Sequence, residues 1–309
     1  MYSRRGRPRS VTRLARRRSD RTPAVRSRPQ FGPVSVVGAV VMLGRLCDQR
    51  TDRTGRLTTW GTTMAATDTA QAIAAPMGDL GGRFMLSART YATGAEYGFS
   101  GLDFYFCGRG GVLGAVDASV VIDELAFFEP GDARRQWEAG LAVMPPAEAA
   151  ARFIECGYAW GRARLPQSLP AARLADLSQR VMDASAATLG EDRPALFAAW
   201  SDRSWPEDER ARALHAIHLW RELRGGLHVQ ALRRVGLDPR TAVMITSGDK
   251  GAEFFGWSPP HPDPEPFREL WATAEAHTND AVALCVGVLD DAEQAELIAL
   301  TLAAAPPSR

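Results

Sequence analysis

The sequence has few cysteines and no long apolar run. Its four cysteines, Cys47, Cys107, Cys156 and Cys285, are far apart and form no Cys-x-x-Cys unit. That spacing argues against a disulfide framework or a structural zinc site and points to a reducing, cytoplasmic setting. No stretch of about 18 residues is apolar and free of charge, so a membrane span is not expected. Neither a dinucleotide-binding Gly-x-Gly-x-x-Gly nor a Walker A loop is present. The nearest approach, GRGGVLG at 108–114, lacks a preceding β-rich strand and a distal acid. Strict apolar–polar alternation is also scarce, which leaves little material for sheets. No cofactor and no metal are expected.

What is present is a split in charge. The formal net charge is +1, yet residues 1–60 hold 15 arginines against three aspartates, so residues 61–309 carry about −11. A basic, apolar-poor head of this kind is expected to be disordered. It reads as a nucleic-acid tail, a targeting peptide, or an extension upstream of a start such as Met64 or Met77. The last fits best, because the apolar segment 31–47 follows too long a basic lead for a secretory signal. An acidic body disfavours nucleic acid as the partner of the remainder.

From about residue 78, prolines and glycines cut the chain into blocks of helix length. The expected fold is an all-α multi-helix bundle. Residues 1–77 form the basic extension, 78–190 a first helical half, and 191–305 a second half with an embedded helix-turn-helix-like segment. Residues 170–188 and 206–224 read as long helices, the latter capped by Ser204. RTAVMITSG, at 240–248, is compatible with a short strand.

Two constellations carry polar chemistry. In FYFCGRGGVLG, Tyr105 and Arg109 stand four apart and share a helical face. Arg109 is suited to clamping an anionic group or to pairing with a buried acid such as Glu222. The plain alternative is a tight helix–helix contact with an ordinary structural arginine. In LHAIHLWRELRGGLHVQAL, His215, His218 and Glu222 fall on one helical face. Gly225 and Gly226 are expected to break the helix after Arg224. The break would gather Glu222, Arg224 and His228 at a turn, as a ligand pocket, an acid–base site or a structural polar corner. No nucleophile stands beside them, so no catalytic residue is assigned.

The same stretch continues as a helix, a turn at Gly236, a cap at Asp238 and a second short helix, which is the shape of a helix-turn-helix. As a DNA reader it would use Arg233, Arg234 and Arg240, but its second helix is more apolar than a reading helix should be. Further on, the aromatic cluster FFGW (254–257) precedes a proline-rich connector, and AEAHTND brings Glu275, Thr278, Asn279 and Asp280 near one helix.

These blocks together resemble an actinobacterial, all-helical family labelled helix-turn-helix. Tyr105, Phe106, Arg109, Leu113 and Gly114 match its aromatic–arginine–leucine–glycine block. Phe128, Pro130 and Trp137 match the next, and Arg224, Gly225, His228, Leu232 and Gly236 a third. Gly256–Trp257 and Thr278–Asp280 match later markers. The resemblance spans about residues 80–305 and implies an all-α fold; it brings no substrate with it. The chain departs from the pattern at Leu223, Gly226 and Asn279, where histidine, aspartate and an unbroken Thr–Asp pair are more usual. The leading functional expectation is a small-molecule-binding helical protein with a regulatory use, built on Tyr105, Arg109, Glu222, Arg224 and His228. The alternatives are a DNA-binding regulator and a cofactor-free enzyme of secondary metabolism; the candidate partners are an unknown small molecule and a second copy of the chain.

Overall fold

Helix starts are written by short acidic and hydroxyl side chains. Ser87, Asp117, Asp208, Asp238 and Asp290 each accept a backbone N–H from the first turn of the helix that follows, satisfying donors that have no intrahelical partner. Proline opens two more helices at Pro130 and Pro146, and follows the Asp238 cap as Pro239, positions where its missing N–H is harmless. In the computed structural model, which describes residues 65–305, these signals delimit twelve α-helices and no strand among the described residues. They are α1 (Ala66–Arg83), α2 (Ala88–Glu96), α3 (Asp103–Gly110), α4 (Ala118–Glu124), α5 (Pro130–Val143), α6 (Pro146–Arg164), α7 (Ala171–Leu189), α8 (Ala195–Ser201), α9 (Glu209–Val235), α10 (Pro239–Phe254), α11 (Arg268–Val286) and α12 (Asp291–Ala304). The chain is all-α, as its lack of alternation predicts. The segment at 240–247 is helical rather than extended, α10 is kinked at Gly248 (φ 59°, ψ −162°), and Asp208 rather than Ser204 caps α9. Among the described residues no single helix is long and apolar enough to cross a membrane.

α9 is the axis of the bundle. It runs 27 residues, about 40 Å at the usual rise, and packs against α1, α6, α7, α8 and α11. A helix surrounded on so many sides must be apolar around most of its circumference, and α9 buries Ala213, Leu214, Ala216, Ile217, Leu219, Trp220 and Leu223 within three turns. One apolar cluster extends from Ala70 to Ala304, so the two halves expected on either side of residue 190 meet in a continuous core. The core also begins earlier than residue 78. α1 starts at Ala66 and buries Thr69, Ala70, Ile73, Met77 and Leu80, so residues 66–77, expected to be part of the extension, are core. Met77 lies within α1, and a chain starting there would lose more than half of that helix. The basic residues 1–60 lie outside the described residues.

The anticipated break at Gly225–Gly226 does not occur: α9 continues through both. The two glycines meet opposite surroundings. A Cβ on Gly226 would sit 2.3 Å from Cβ of Pro194, whereas a Cβ on Gly225 would meet nothing within 4 Å. Gly226 is therefore required by the close approach of α8, and Gly225 faces open space.

α9 ends where Gly236 adopts the left-handed conformation at φ 74°, with Leu237 N–H returning to the carbonyl of Leu232. Asp238 then starts α10. Leu232, Leu237 and Ala242 pack with Ala231 and with Ala274 of α11, which fixes the angle between α9 and α10. This is the expected helix-turn-helix.

The adjacent glycines should respond with opposite sign. Gly225→Ala should stabilise the protein by about 0.5–1 kcal/mol by removing a helix-interior glycine. Gly226→Ala should destabilise it by about 1–3 kcal/mol through overpacking on Pro194. Urea midpoints of the two variants decide this, and equal shifts of the same sign would contradict it.

Candidate functional site

The site begins with two residues one turn apart on α3. Tyr105 is fixed by ring contacts to Phe106, Phe128 and Phe153. Arg109 follows four residues later and donates from Nη1 to the Tyr105 hydroxyl. Its Nε and Nη2 donate to the two carboxylate oxygens of Glu222 on α9, each at 2.9 Å. Trp200 of α8 donates its indole N–H to the Arg109 carbonyl at 3.1 Å, one of the terminal helix carbonyls that lack an intrahelical partner. The pairing of Arg109 with a buried Glu222, one of the two roles expected for that arginine, is present in bidentate form.

Burial opposes both charges, and each is the other's compensation. For Glu222, burial raises the pKa, but Arg109 outweighs it and holds the carboxyl below the ordinary carboxylate range. For Arg109, burial works against the cation, while Glu222 and Tyr105 together raise its pKa above the ordinary value. His218 lies 3.7 Å from Glu222, and neither of its ring nitrogens has a hydrogen-bond partner. Burial pushes its pKa down to about 4. It is a neutral ring packed edge-on against Trp200 and Phe84. His215, pushed to about 3 chiefly by burial, bonds the Tyr158 hydroxyl at 3.0 Å. The His-x-x-His face of α9 is thus core rather than metal-binding, and among the described residues no cluster suited to a metal ion occurs.

Beside Arg109 lies a cavity of about 140 Å³. Its walls are Tyr105, Arg109, Glu124, Leu125, Phe127, Phe128, Arg221, Gly225, Val229 and Phe255. Three of the five N–H bonds of the Arg109 guanidinium are spent on Glu222 and Tyr105. Glu124 accepts the Leu196 N–H at 3.0 Å, and burial raises its pKa. Arg221 donates to the Gly78 carbonyl at 2.9 Å but has a buried, unpartnered Nε. Sequence reasoning passed over Glu124, Phe127, Arg221 and Phe255. The legible signals were an acid inside the apolar run VVIDELAFF and the aromatic pair of FFGW.

Arg224 and His228, expected to join Glu222, do not. They face α11, where Arg224 bonds Glu275 at 2.8 Å and Asn279 at 3.2 Å. His228 Nδ1 lies 3.0 Å from the Thr278 hydroxyl and 3.2 Å from Glu275. Since Thr278 donates to the Ala274 carbonyl, the histidine carries its proton on Nδ1. Burial pushes its pKa down to about 4. The expected single pocket is therefore two polar groups, separated by Phe127, which stacks on His228 on one side and walls the cavity on the other. The reason is angular: residues six apart on an unbroken helix point about 120° apart, and only a break after Arg224 would have brought them together.

The candidate DNA-reading arginines are largely occupied. Arg233 donates to the Asp123 carbonyl at 2.8 Å. Arg240 donates to the carbonyls of Ser258 and Pro260 and lies over the Trp257 ring. Arg234 is exposed at the wall of a second cavity of about 170 Å³. The exposed residues of α10 are Thr246 and Ser247 before the kink at Gly248 and Asp249, Lys250 and Glu253 after it, with two acids to one base.

A model of a helix-turn-helix family matches residues 70–265. No curated protein and no solved structure matches the chain.

The three buried histidines make stability pH-dependent. Below the ordinary histidine pKa of about 6.5 the unfolded chain gains protons that the folded chain refuses down to about 4. The unfolded state then binds more protons, so stability is full above about pH 6.5 and falls as the pH drops. Each ring contributes up to about 1.4 kcal/mol per pH unit. Urea unfolding should lose at least about 2 kcal/mol between pH 6.5 and 5, and a flat profile would contradict the buried neutral state.

Proposed function

Since the chain belongs to this helix-turn-helix family, we propose that it is a ligand-responsive helix-turn-helix protein, in which a small acceptor-bearing molecule at Arg109 governs the seating of α10. The single observation behind this is that the walls of the Arg109 cavity are also the supports of α10. Phe127 and Phe255 line the cavity and pack against Val243, Met244 and Ala252, the buried face of α10. Trp257, just past α10, is tied back by its indole N–H to the Phe127 carbonyl at 2.9 Å. A molecule that pushes these rings acts on α10 directly. Ligand sites are mostly apolar with a few convergent polar groups, and here Arg109 and Tyr105 stand among the rings of Phe127, Phe128 and Phe255.

Direct DNA recognition is the second reading, favoured by family membership and by the α9–Gly236–Asp238–α10 geometry. The surface of α10 does not favour it as a reading helix. Base readout needs free arginine, lysine, asparagine or glutamine side chains, and the exposed face offers only Lys250 among acids and hydroxyls. Phosphate affinity is expected from the arginines of residues 1–60.

Two measurements test these readings. Calorimetric titration of the full chain with small carboxylates should give saturable binding. Tyr105→Phe, which removes the hydroxyl beside Arg109, should weaken it about threefold to tenfold, the effect of one hydrogen bond; identical affinities for both proteins would remove the cavity from the account. For DNA, Arg233→Ala and Arg234→Ala should leave duplex binding unchanged. Loss of sequence-specific binding in either would instead make the helix-turn-helix the reader.

A further inference from the structure

We infer that the ligand of the Arg109 cavity is a planar acid built on one aromatic ring, its carboxylate against Arg109 and its ring against Phe128 and Phe255. This rests on the ligand-responsive reading above and narrows it. Size is the first argument. The cavity holds about 140 Å³, close to the roughly 150 Å³ of an apolar protein cavity that takes up benzene. That is room for one six-membered ring and a short substituent.

Wall chemistry is the second argument. The apolar surface is largely aromatic: Phe127, Phe128 and Phe255, with the last two rings edge-to-face at 4.8 Å. Aromatic walls favour a ring that continues the edge-to-face pattern. The polar groups are mostly donors. Arg109 keeps two N–H bonds beyond its partners, and Tyr105, which accepts from Arg109, keeps its own O–H. Arg221 also lines the cavity, but its guanidinium is committed to α1 through Nη1 and the Gly78 carbonyl. Donors in such excess call for a ligand that accepts without donating, and a planar guanidinium matches a planar carboxylate. Glu124, the acid in the wall, has one oxygen engaged by the Leu196 N–H, and burial raises its pKa.

Gly225 is the third argument. It lines the cavity from α9, and a Cβ built there meets nothing within 4 Å. The missing side chain leaves part of the cavity open. A larger residue at 225 would fill the cavity without disturbing α9, since valine is no worse than glycine inside a helix.

The test is calorimetric titration of the full-length protein with benzoate, benzamide, cyclohexanecarboxylate and acetate. Benzoate should bind at least tenfold more tightly than each of the other three. Gly225→Val, checked by circular dichroism to be folded, should abolish benzoate binding, and Gly225→Ala should weaken it. Acetate or cyclohexanecarboxylate binding as tightly as benzoate would overturn the aromatic acid while leaving the cavity reading in place. Undiminished benzoate binding in the folded Gly225→Val protein would overturn the placement. No binding by any of the four would end this inference and the ligand-responsive reading together.

Discussion

Arg109 and Glu222 sit 113 residues apart, and their bidentate contact organises the polar interior of this protein. Neither charge is tolerable alone at that depth, since an unpaired buried ion costs several kcal/mol. The pair therefore forces α3 and α9 to meet at one register. Tyr105 and Trp200 complete the arrangement by taking a guanidinium N–H and by capping the Arg109 carbonyl. The guanidinium plane is then fixed, and so is the direction of its remaining donors. Buried ion pairs of this kind contribute little net stability against an apolar replacement. What this one supplies is a rigid cation at the edge of a small cavity, in a region that the neutral rings of His215 and His218 would otherwise leave without charge.

The consequences run outward along α9. Because the helix is unbroken, Glu222 and His228 look in different directions, and two polar groups form where a turn would have made one. Arg224 and His228 tie α9 to Glu275, Thr278 and Asn279 of α11, which steadies the helix just ahead of the turn into α10. The adjacent glycines divide their work: Gly226 admits Pro194, and Gly225 leaves the cavity its volume. Phe127 stands between the two polar groups and under α10, so the cavity, the α11 anchor and the helix-turn-helix share one aromatic wall.

The fold class was legible because blocks of helix length and cap residues recur from about residue 78 onward, and the helix-turn-helix because Gly236 and Asp238 carry local, unambiguous conformational demands. The Arg109–Glu222 pairing was legible as an alternative, since a lone acid on the buried face of a helix needs a cation. The path of the chain at Gly225–Gly226 was not. Propensity favours a break there, but α9 is held by five neighbouring helices, and that packing outweighs a cost of about 1 kcal/mol per glycine. The extent of α1 was hidden differently. Thr69, Ala70, Ile73, Met77 and Leu80 keep helical spacing, yet they follow a basic head whose composition drew the boundary too late. The cavity walls come from four separate segments, and only their packing shows that they meet.

The central claim is that Arg109 and Glu222 depend on each other and together add little net stability. A double-mutant cycle with Arg109→Met, Glu222→Leu and the combined variant, read by urea unfolding at pH 7, tests it most directly. Each single substitution should cost about 3–5 kcal/mol by stranding the other charge, while the combined variant should fall within about 1–2 kcal/mol of the parent. A combined variant as unstable as the sum of the singles would contradict the claim.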